Sequence, residues 1–136
     1  MKKKFQVPSE LSQVHKASSQ ALSFLEPLRL SEAAIFDVRL CLEEALVNAI
    51  KYGNQQKKEL LVDMDVEYDD KELRIRIEDQ GSGFEPEKLP DCTKGDNQFD
   101  NHGRGVYLMR QLMDAVSYNN KGNSLLMVKS LTKGRN

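Results

Sequence analysis

The chain has 136 residues, 20 Lys+Arg against 21 Asp+Glu, a formal net charge of -1, 30% charged residues and 39% hydrophobic ones. These values fit a single domain over residues 1–136 with a core of its own, and they exclude bulk electrostatic attraction to nucleic acid. No heptad pattern is sustained and no apolar run approaches the length of a membrane span. The basic start Met1-Lys2-Lys3-Lys4 leads into Phe5-Gln6-Val7-Pro8 rather than an apolar stretch, so no signal peptide is expected. Cys41 and Cys92 lack a C-x-x-C spacing and read as reduced thiols of a cytoplasmic protein, Cys41 buried and Cys92 exposed.

In chain order, Phe5–Val7 reads as a short strand stopped by Pro8. Ser9 is the expected cap of a first helix with Leu11, Val14, Ala17, Ala21, Leu22 and Leu25 on its apolar face, ended by Pro27. Ser31 is the expected cap of a second helix, with Glu32 in its first turn and Ile35, Val38, Leu42, Ala45 and Ala49 as its stripe. Gly53 stands where a helix-terminating glycine belongs. Residues 62–68 and 73–79 alternate apolar with charged, which predicts two strands with one buried and one wet face. Asp69-Asp70-Lys71 is the turn between them, and the acidic outer face of the first strand should pair with Arg74 and Arg76 of the second.

Residues 80–105 form a long polar connection, of the kind that often serves as a binding loop. A third helix is expected from about Val106, with Met109, Leu112, Met113 and Val116 on one face, then a turn at 119–123 and a last strand over 125–131. The tail 132–136 is expected to fray. Met64, Met109, Met113 and Met127 read as core fillers. The element order predicts an α+β fold: a two-layer sandwich of a mixed, mostly antiparallel sheet with helices on one face.

Three groups of residues break the local rules. Asp79 continues the buried parity of Leu73, Ile75 and Ile77, and a carboxylate on the core side needs a partner. Either the strand stops at Ile77 and Asp79 is a turn residue, or the carboxylate faces a pocket; Gly81 and Gly83 beside it would allow close approach of a ligand. Glu44 and Asn48 share one helix face, with Lys51 and Tyr52 a turn further on. Such a stripe is usually solvated, yet Asn is a poor helix former, and a carboxylate, an amide oxygen and a lysine suit hydrated Mg²⁺ and phosphate. Gly103-Arg104-Gly105 precedes the third helix, where free N–H groups make an anion site. Neither a Rossmann fingerprint nor a Walker P-loop is present.

Together these groups resemble the GHKL ATPase superfamily with its Bergerat fold. Glu44-Ala45-Leu46-Val47-Asn48-Ala49 looks like the N box, Asp79-Gln80-Gly81-Ser82-Gly83 like the first glycine box, and Gly103-Arg104-Gly105-Val106-Tyr107-Leu108 like the second. The short chain and the tract from Gly105 to Val116 resemble the anti-sigma-factor serine kinase branch. That resemblance implies ATP and Mg²⁺ as cofactors. Asp79 would accept from the adenine amino group, Gly81 and Gly83 would lie along the nucleotide, and Asn48 would hold Mg²⁺. Lys51 would sit near the phosphates and Tyr52 near the ribose or base. Gly103, Arg104 and Gly105 would hold the phosphate tail, residues 85–102 would form the ATP lid, and Glu44 would be the general base toward a serine hydroxyl.

The implied partners are a STAS-domain anti-anti-sigma protein, which carries the serine, and a sigma factor. A homodimer is implied, with no direct nucleic-acid or membrane contact. One departure bears on activity: several relatives carry an arginine late in the lid, whereas residues 85–102 have none and Asn101-His102 occupy that place, leaving Arg104 as the substitute. The chain therefore reads as an ATP-dependent protein-serine kinase and anti-sigma factor, or alternatively as a non-catalytic ATP-binding partner-switching module. A detached histidine-kinase domain is disfavoured, because His15 and His102 read as surface and lid residues.

Overall fold

The computed structural model describes residues 1–81 and 101–131, and for residues 101–104 the backbone alone. The order is β1 (Lys2–Pro8), α1 (Val14–Phe24), α2 (Glu32–Asn48), β2 (Leu61–Tyr68), β3 (Glu72–Glu78), α3 (Asn101–Leu112), β4 (Ala115–Tyr118) and β5 (Ser124–Ser130). Short 3₁₀ turns at Leu11–Gln13 and Glu26–Leu28 flank α1, and a π-helical turn, Ala49–Gly53, extends α2. The strands form one sheet in the order β1-β2-β3-β5-β4. Every pairing in it is antiparallel, so the mixed character expected of the sheet gives way to a uniform ladder.

Register puts the apolar residues on one face. Phe5, Met64, Ile77, Leu125 and Tyr118 lie across one row, and Lys3, Val66, Ile75, Met127 and Val116 across the next. Against that face pack Val14, Ala17, Ala21 and Leu25 of α1 and its end, Val38, Cys41, Leu42, Ala45 and Leu46 of α2, and Val106, Met109 and Met113 at α3. The architecture is the α+β two-layer sandwich that the alternation of elements predicts. Met64, Met109, Met113 and Met127 are all core residues, as expected. Cys41 is a buried free thiol whose pKa is pushed up to about 12, mainly by burial. On the outer face Asp65 stands opposite Arg76 and Glu67 opposite Arg74, with Arg74 Nη2 2.6 Å from Glu67 Oε1. Among the described residues no helix is long and apolar enough to cross a membrane.

Several local expectations change. Ser9 caps no helix: its hydroxyl is buried, donates to the Leu60 carbonyl at 2.5 Å and accepts from Asn54 Nδ2 at 2.9 Å. Ile35 is exposed rather than part of the α2 stripe, and Ala34 is buried in its place. Gly53 is not a left-handed terminator; its place in the π turn has another cause, given below. Val116 belongs to β4, a strand absent from the sequence reading, where α3 ends early and Asp114 Oδ2 accepts from Ser130 N at 2.5 Å. Gly103-Arg104-Gly105 lies inside α3 rather than before it, since the helix begins at Asn101. The expected lid over 85–102 and the exposed Cys92 fall almost wholly outside the described residues, as does the tail 132–136.

Ser31 is a cap as expected: its Oγ accepts from Ala34 N at 3.1 Å, with Glu32 in the first turn. Ser31→Ala is expected to cost about 1 kcal/mol, since one free N–H loses its acceptor. Thermal unfolding would register this as a lower midpoint; an unchanged midpoint would mean the cap contributes nothing to α2.

Candidate functional site

The site begins where β3 ends. Asp79 keeps the inward parity of Leu73, Ile75 and Ile77 and is 8% exposed. Its backbone N–H donates to the Asn123 carbonyl at 2.9 Å, and Asn123 Nδ2 returns a bond to the Asp79 carbonyl at 3.0 Å. The carboxylate accepts from Gly81 N at 2.8 Å. Burial pushes its pKa up, the Gly81 bond opposes that rise, Glu78 adds to it, and Lys121 offsets part of it. Of the two readings open from parity, the buried carboxylate is the one realised.

Two glycines make room for it. A Cβ on Gly53 would overlap the Asp79 carboxylate, and a Cβ on Gly81 would overlap the Gly53 carbonyl. The turn after α2 and the turn after β3 thus meet at glycines because backbone lies directly on backbone. A cleft opens here, lined by Ala45, Asn48, Ala49, Gly53, Ile77, Asp79, Tyr118, Asn123 and Leu125. Its walls are mostly apolar, with a few convergent polar groups, the usual character of a small-molecule pocket. Tyr118 comes from β4; burial raises its phenol pKa and the nearby Asp79 charge adds to that rise.

Asn48 lines the same cleft from the last residue of α2. It is 8% exposed, and its Nδ2 has no hydrogen-bond partner among the described residues. Native interiors rarely leave such a group unpaired, so an amide like this is one that a ligand would complete. One turn earlier stands Glu44, half-buried, its pKa raised by burial first and by neighbouring Glu43 second. Both side chains converge on α3: a Cβ on Gly105 would lie 2.9 Å from Glu44 Oε2 and 3.3 Å from Asn48 Nδ2. Glycine inside a helix costs about 1 kcal/mol relative to alanine. At Gly105 the reason for accepting that cost is space for these two groups.

The sequence-derived residues therefore divide. Asp79, Gly81, Asn48, Glu44 and Gly105 are brought together. Gly103 and Arg104 sit in the first turn of α3, where helix geometry leaves N–H groups without intrahelical acceptors. Lys51 and Tyr52 stand exposed in the π turn, Lys51 Nζ 5.5 Å from the Tyr52 ring centroid, and neither lines the cleft. Gly83 lies outside the described residues. His15 is exposed and 3.3 Å from Glu43, as a surface histidine should be. Sequence reasoning missed Gly53, Tyr118 and Asn123. Gly53 was read as a terminator, and the other two carry no signal before β4 and β5 are placed. The carboxylate and amide oxygens of Glu44 and Asn48 fit a hard cation that keeps most of its waters; among the described residues no cluster of three metal-ligating side chains forms.

The family described as the histidine kinase-like ATPase domain matches residues 7–129, which span all three boxes, and the chain belongs to that family. It is 29% identical over 107 residues to the serine-protein kinase RsbW of Staphylococcus epidermidis, covering 73% of this chain and 67% of the relative. It is 29% identical over 112 residues to the anti-sigma F factor of Clostridium botulinum, covering 79% and 78%. It is 27% identical over 115 residues to the serine/threonine-protein kinase BtrW of Bordetella bronchiseptica, covering 80% and 81%. These relatives bear out the resemblance to the anti-sigma-factor serine kinase branch.

The raised pKa of Asp79 has a consequence for stability. The folded carboxyl holds its proton at higher pH than the unfolded one, so stability falls as pH rises through the window above the ordinary value of 3.8. Asp79→Asn removes the ionisation while keeping an acceptor for Gly81 N–H. The ligand-free variant is expected to melt above the wild type at pH 7 and to lose that advantage in acid. Equal midpoints at pH 7 would mean that the buried charge carries no penalty.

Proposed function

We propose that the chain, as one domain over 1–136, is an ATP-dependent protein-serine kinase that also acts as an anti-sigma regulatory factor. The observation that carries this reading is the position of Asn48. It lines the cleft that holds Asp79, and its amide, with no partner for Nδ2 among the described residues, approaches Gly105 as Glu44 does. A site for a base and a site for a reacting phosphate are thus joined through one helix end.

In this reading Asp79 accepts from the exocyclic amino group of adenine, and Ile77, Ala49 and Leu125 enclose the base. Gly81 and Gly83 keep the first turn close to the nucleotide. Gly103, Arg104 and Gly105 hold the phosphate tail with the N–H groups that open α3. Lys51 is assigned to the phosphates and Tyr52 to the ribose or base, both exposed on the π turn beside the cleft. The Asn48 amide oxygen holds Mg²⁺, which when bound neutralises charge on the phosphates. Glu44 orients the serine hydroxyl and takes its proton as that oxygen bonds to the γ-phosphorus and ADP departs. Its raised pKa suits a base, because a desolvated carboxylate attracts a proton more strongly.

The serine belongs to a STAS-type anti-anti-sigma partner, and the same surface captures a sigma factor in the competing state. The protein acts in the cytoplasm as a homodimer, without direct contact to nucleic acid or membrane. The family match and the names of the relatives support the kinase and anti-sigma halves of this proposal. The absence of an arginine from residues 85–102 favours the second reading, a nucleotide-gated partner-switching module without transfer.

The deciding experiment incubates the protein with Mg²⁺, γ-labelled ATP and a STAS-domain protein from its source organism. Label on a partner serine supports the kinase; nucleotide-dependent capture without label supports the module. Glu44→Gln is expected to bind ATP normally and to lose transfer by roughly 10²–10⁴-fold. Wild-type transfer should decline as pH falls, with its acidic limb above the ordinary glutamate value of 4.5. A Glu44→Gln protein that phosphorylates at the original rate would remove Glu44 as the base. Asn48→Ala should abolish the Mg²⁺ dependence of ATP affinity in calorimetry, and full dependence in that variant would contradict its assignment.

A further inference from the structure

Asn54 is among the most buried polar residues described, 1% exposed, and the functions assigned above do not use it. It follows Gly53 and closes the π turn, its N–H donating to the Ala49 carbonyl at 2.8 Å. The next residues, Gln55 and Gln56, are both left-handed, with φ of 53° and 59°. That conformation is costly for glutamine, and it persists where surrounding contacts fix the chain. Asn54 supplies such contacts. Its Nδ2 donates to Ser9 Oγ at 2.9 Å and to the Leu61 carbonyl at 3.3 Å. Its Oδ1 accepts from Gln80 N at 2.7 Å. Gln80 adds a bond from its own Nε2 to the same Leu61 carbonyl at 3.2 Å.

These bonds tie the turn after α2 to the start of β2, to the residue after β1, and to the residue between Asp79 and Gly81. The Gly53 carbonyl lies against Gly81, and the Gly53 Cα against the Asp79 carboxylate, so both glycine contacts depend on how the two turns dock. Among the described residues, Gln80 N–H to Asn54 Oδ1 is the hydrogen bond that joins these turns directly.

We propose that Asn54 is a positioning residue that sets the base specificity of the cleft: by holding Gln80 N–H it aims the Asp79 carboxylate at the amino group of adenine. The proposal rests on the assignment of the cleft to ATP. Asn54 touches no nucleotide itself. Its loss lets the Asp79–Gly81 turn move off Gly53, and the carboxylate then no longer distinguishes an amino donor from a carbonyl acceptor.

The test compares ATP with ITP, which replaces the amino group by a carbonyl, using calorimetry on the full chain. The wild type is expected to prefer ATP by roughly 10-fold or more, the worth of a hydrogen bond to a charged acceptor. Asn54→Ala should bring the ATP:ITP ratio close to one while binding of inorganic triphosphate is retained. Asn54→Ser, whose hydroxyl can still meet Ser9 but stops a bond short of Gln80, should do the same if the alanine variant does not fold. Val66→Ala, a core truncation far from the turns, lowers the melting point and should keep the ratio. Asp79→Asn sets the reference for a cleft without its carboxylate. If Asp79→Asn collapses the ratio and both Asn54 variants preserve it, the positioning role is overturned and the adenine assignment survives. If Asp79→Asn also preserves the ratio, both fall.

Discussion

A carboxylate taken out of water at the end of a buried strand is the constraint on which the rest of this site depends. Asp79 sits where the sheet face is otherwise apolar, and burial alone would drive it toward the neutral form. Among the described residues the fold answers with geometry rather than with a buried cation. One backbone N–H from Gly81 meets the carboxylate, and Gly53 removes the side chain that would otherwise fill its space. What remains is a buried acceptor beside a mostly apolar cleft. A buried acceptor of this kind discriminates between ligands, because a wrong partner leaves it unpaired.

Helix α2 carries the second half of the site, and its sequence reflects two demands. Val38, Leu42, Ala45 and Leu46 pack on the sheet, while Glu44 and Asn48 share a different face. Asn48 sits at the last α-helical residue, and the chain then widens into a π turn. Wide turns of this kind often mark functional sites, since they displace the backbone from a regular path. Here the displacement carries Gly53 against Asp79 and Asn54 against Gln80. Helix α3 closes the third side with Gly105, small enough to admit both Glu44 and Asn48.

Periodicity made much of this legible in the sequence. The parity of β3 singled out Asp79, because an acid on an apolar row is a contradiction that only tertiary structure resolves. The spacing of Glu44 and Asn48 put them on one helix face, and alternation predicted the charge pairing of β2 with β3. The rest was hidden for physical reasons. Gly103 and Gly105 argue against helix by propensity, which hides the start of α3 at Asn101 from a local reading. Ala115–Tyr118 is too short for a period and follows the helix almost without a break, so β4 emerges only from its pairing with β5. Ser9 and Asn54 each look like local cap or turn residues, yet they are 45 positions apart and bonded to one another. A contact of that range leaves no trace in a local pattern.

The features that mark the site are each locally unfavourable: a buried carboxylate, an Asn48 amide unpartnered among the described residues, left-handed glutamines after Asn54, and glycine inside α3. They come from separate stretches of chain and gather on one side of the same helix end. Elsewhere the apolar rows face the helices and opposite charges lie across β2 and β3, although Arg29 is also left-handed and Asp65 Oδ1 is buried without a partner among the described residues. A polar ligand in the cleft would supply the partner that Asn48 Nδ2 lacks among the described residues. The stability that this corner gives up must then come from the regular sheet and its methionine-rich core. That is why the cleft can stay imperfectly satisfied while the domain around it remains well packed.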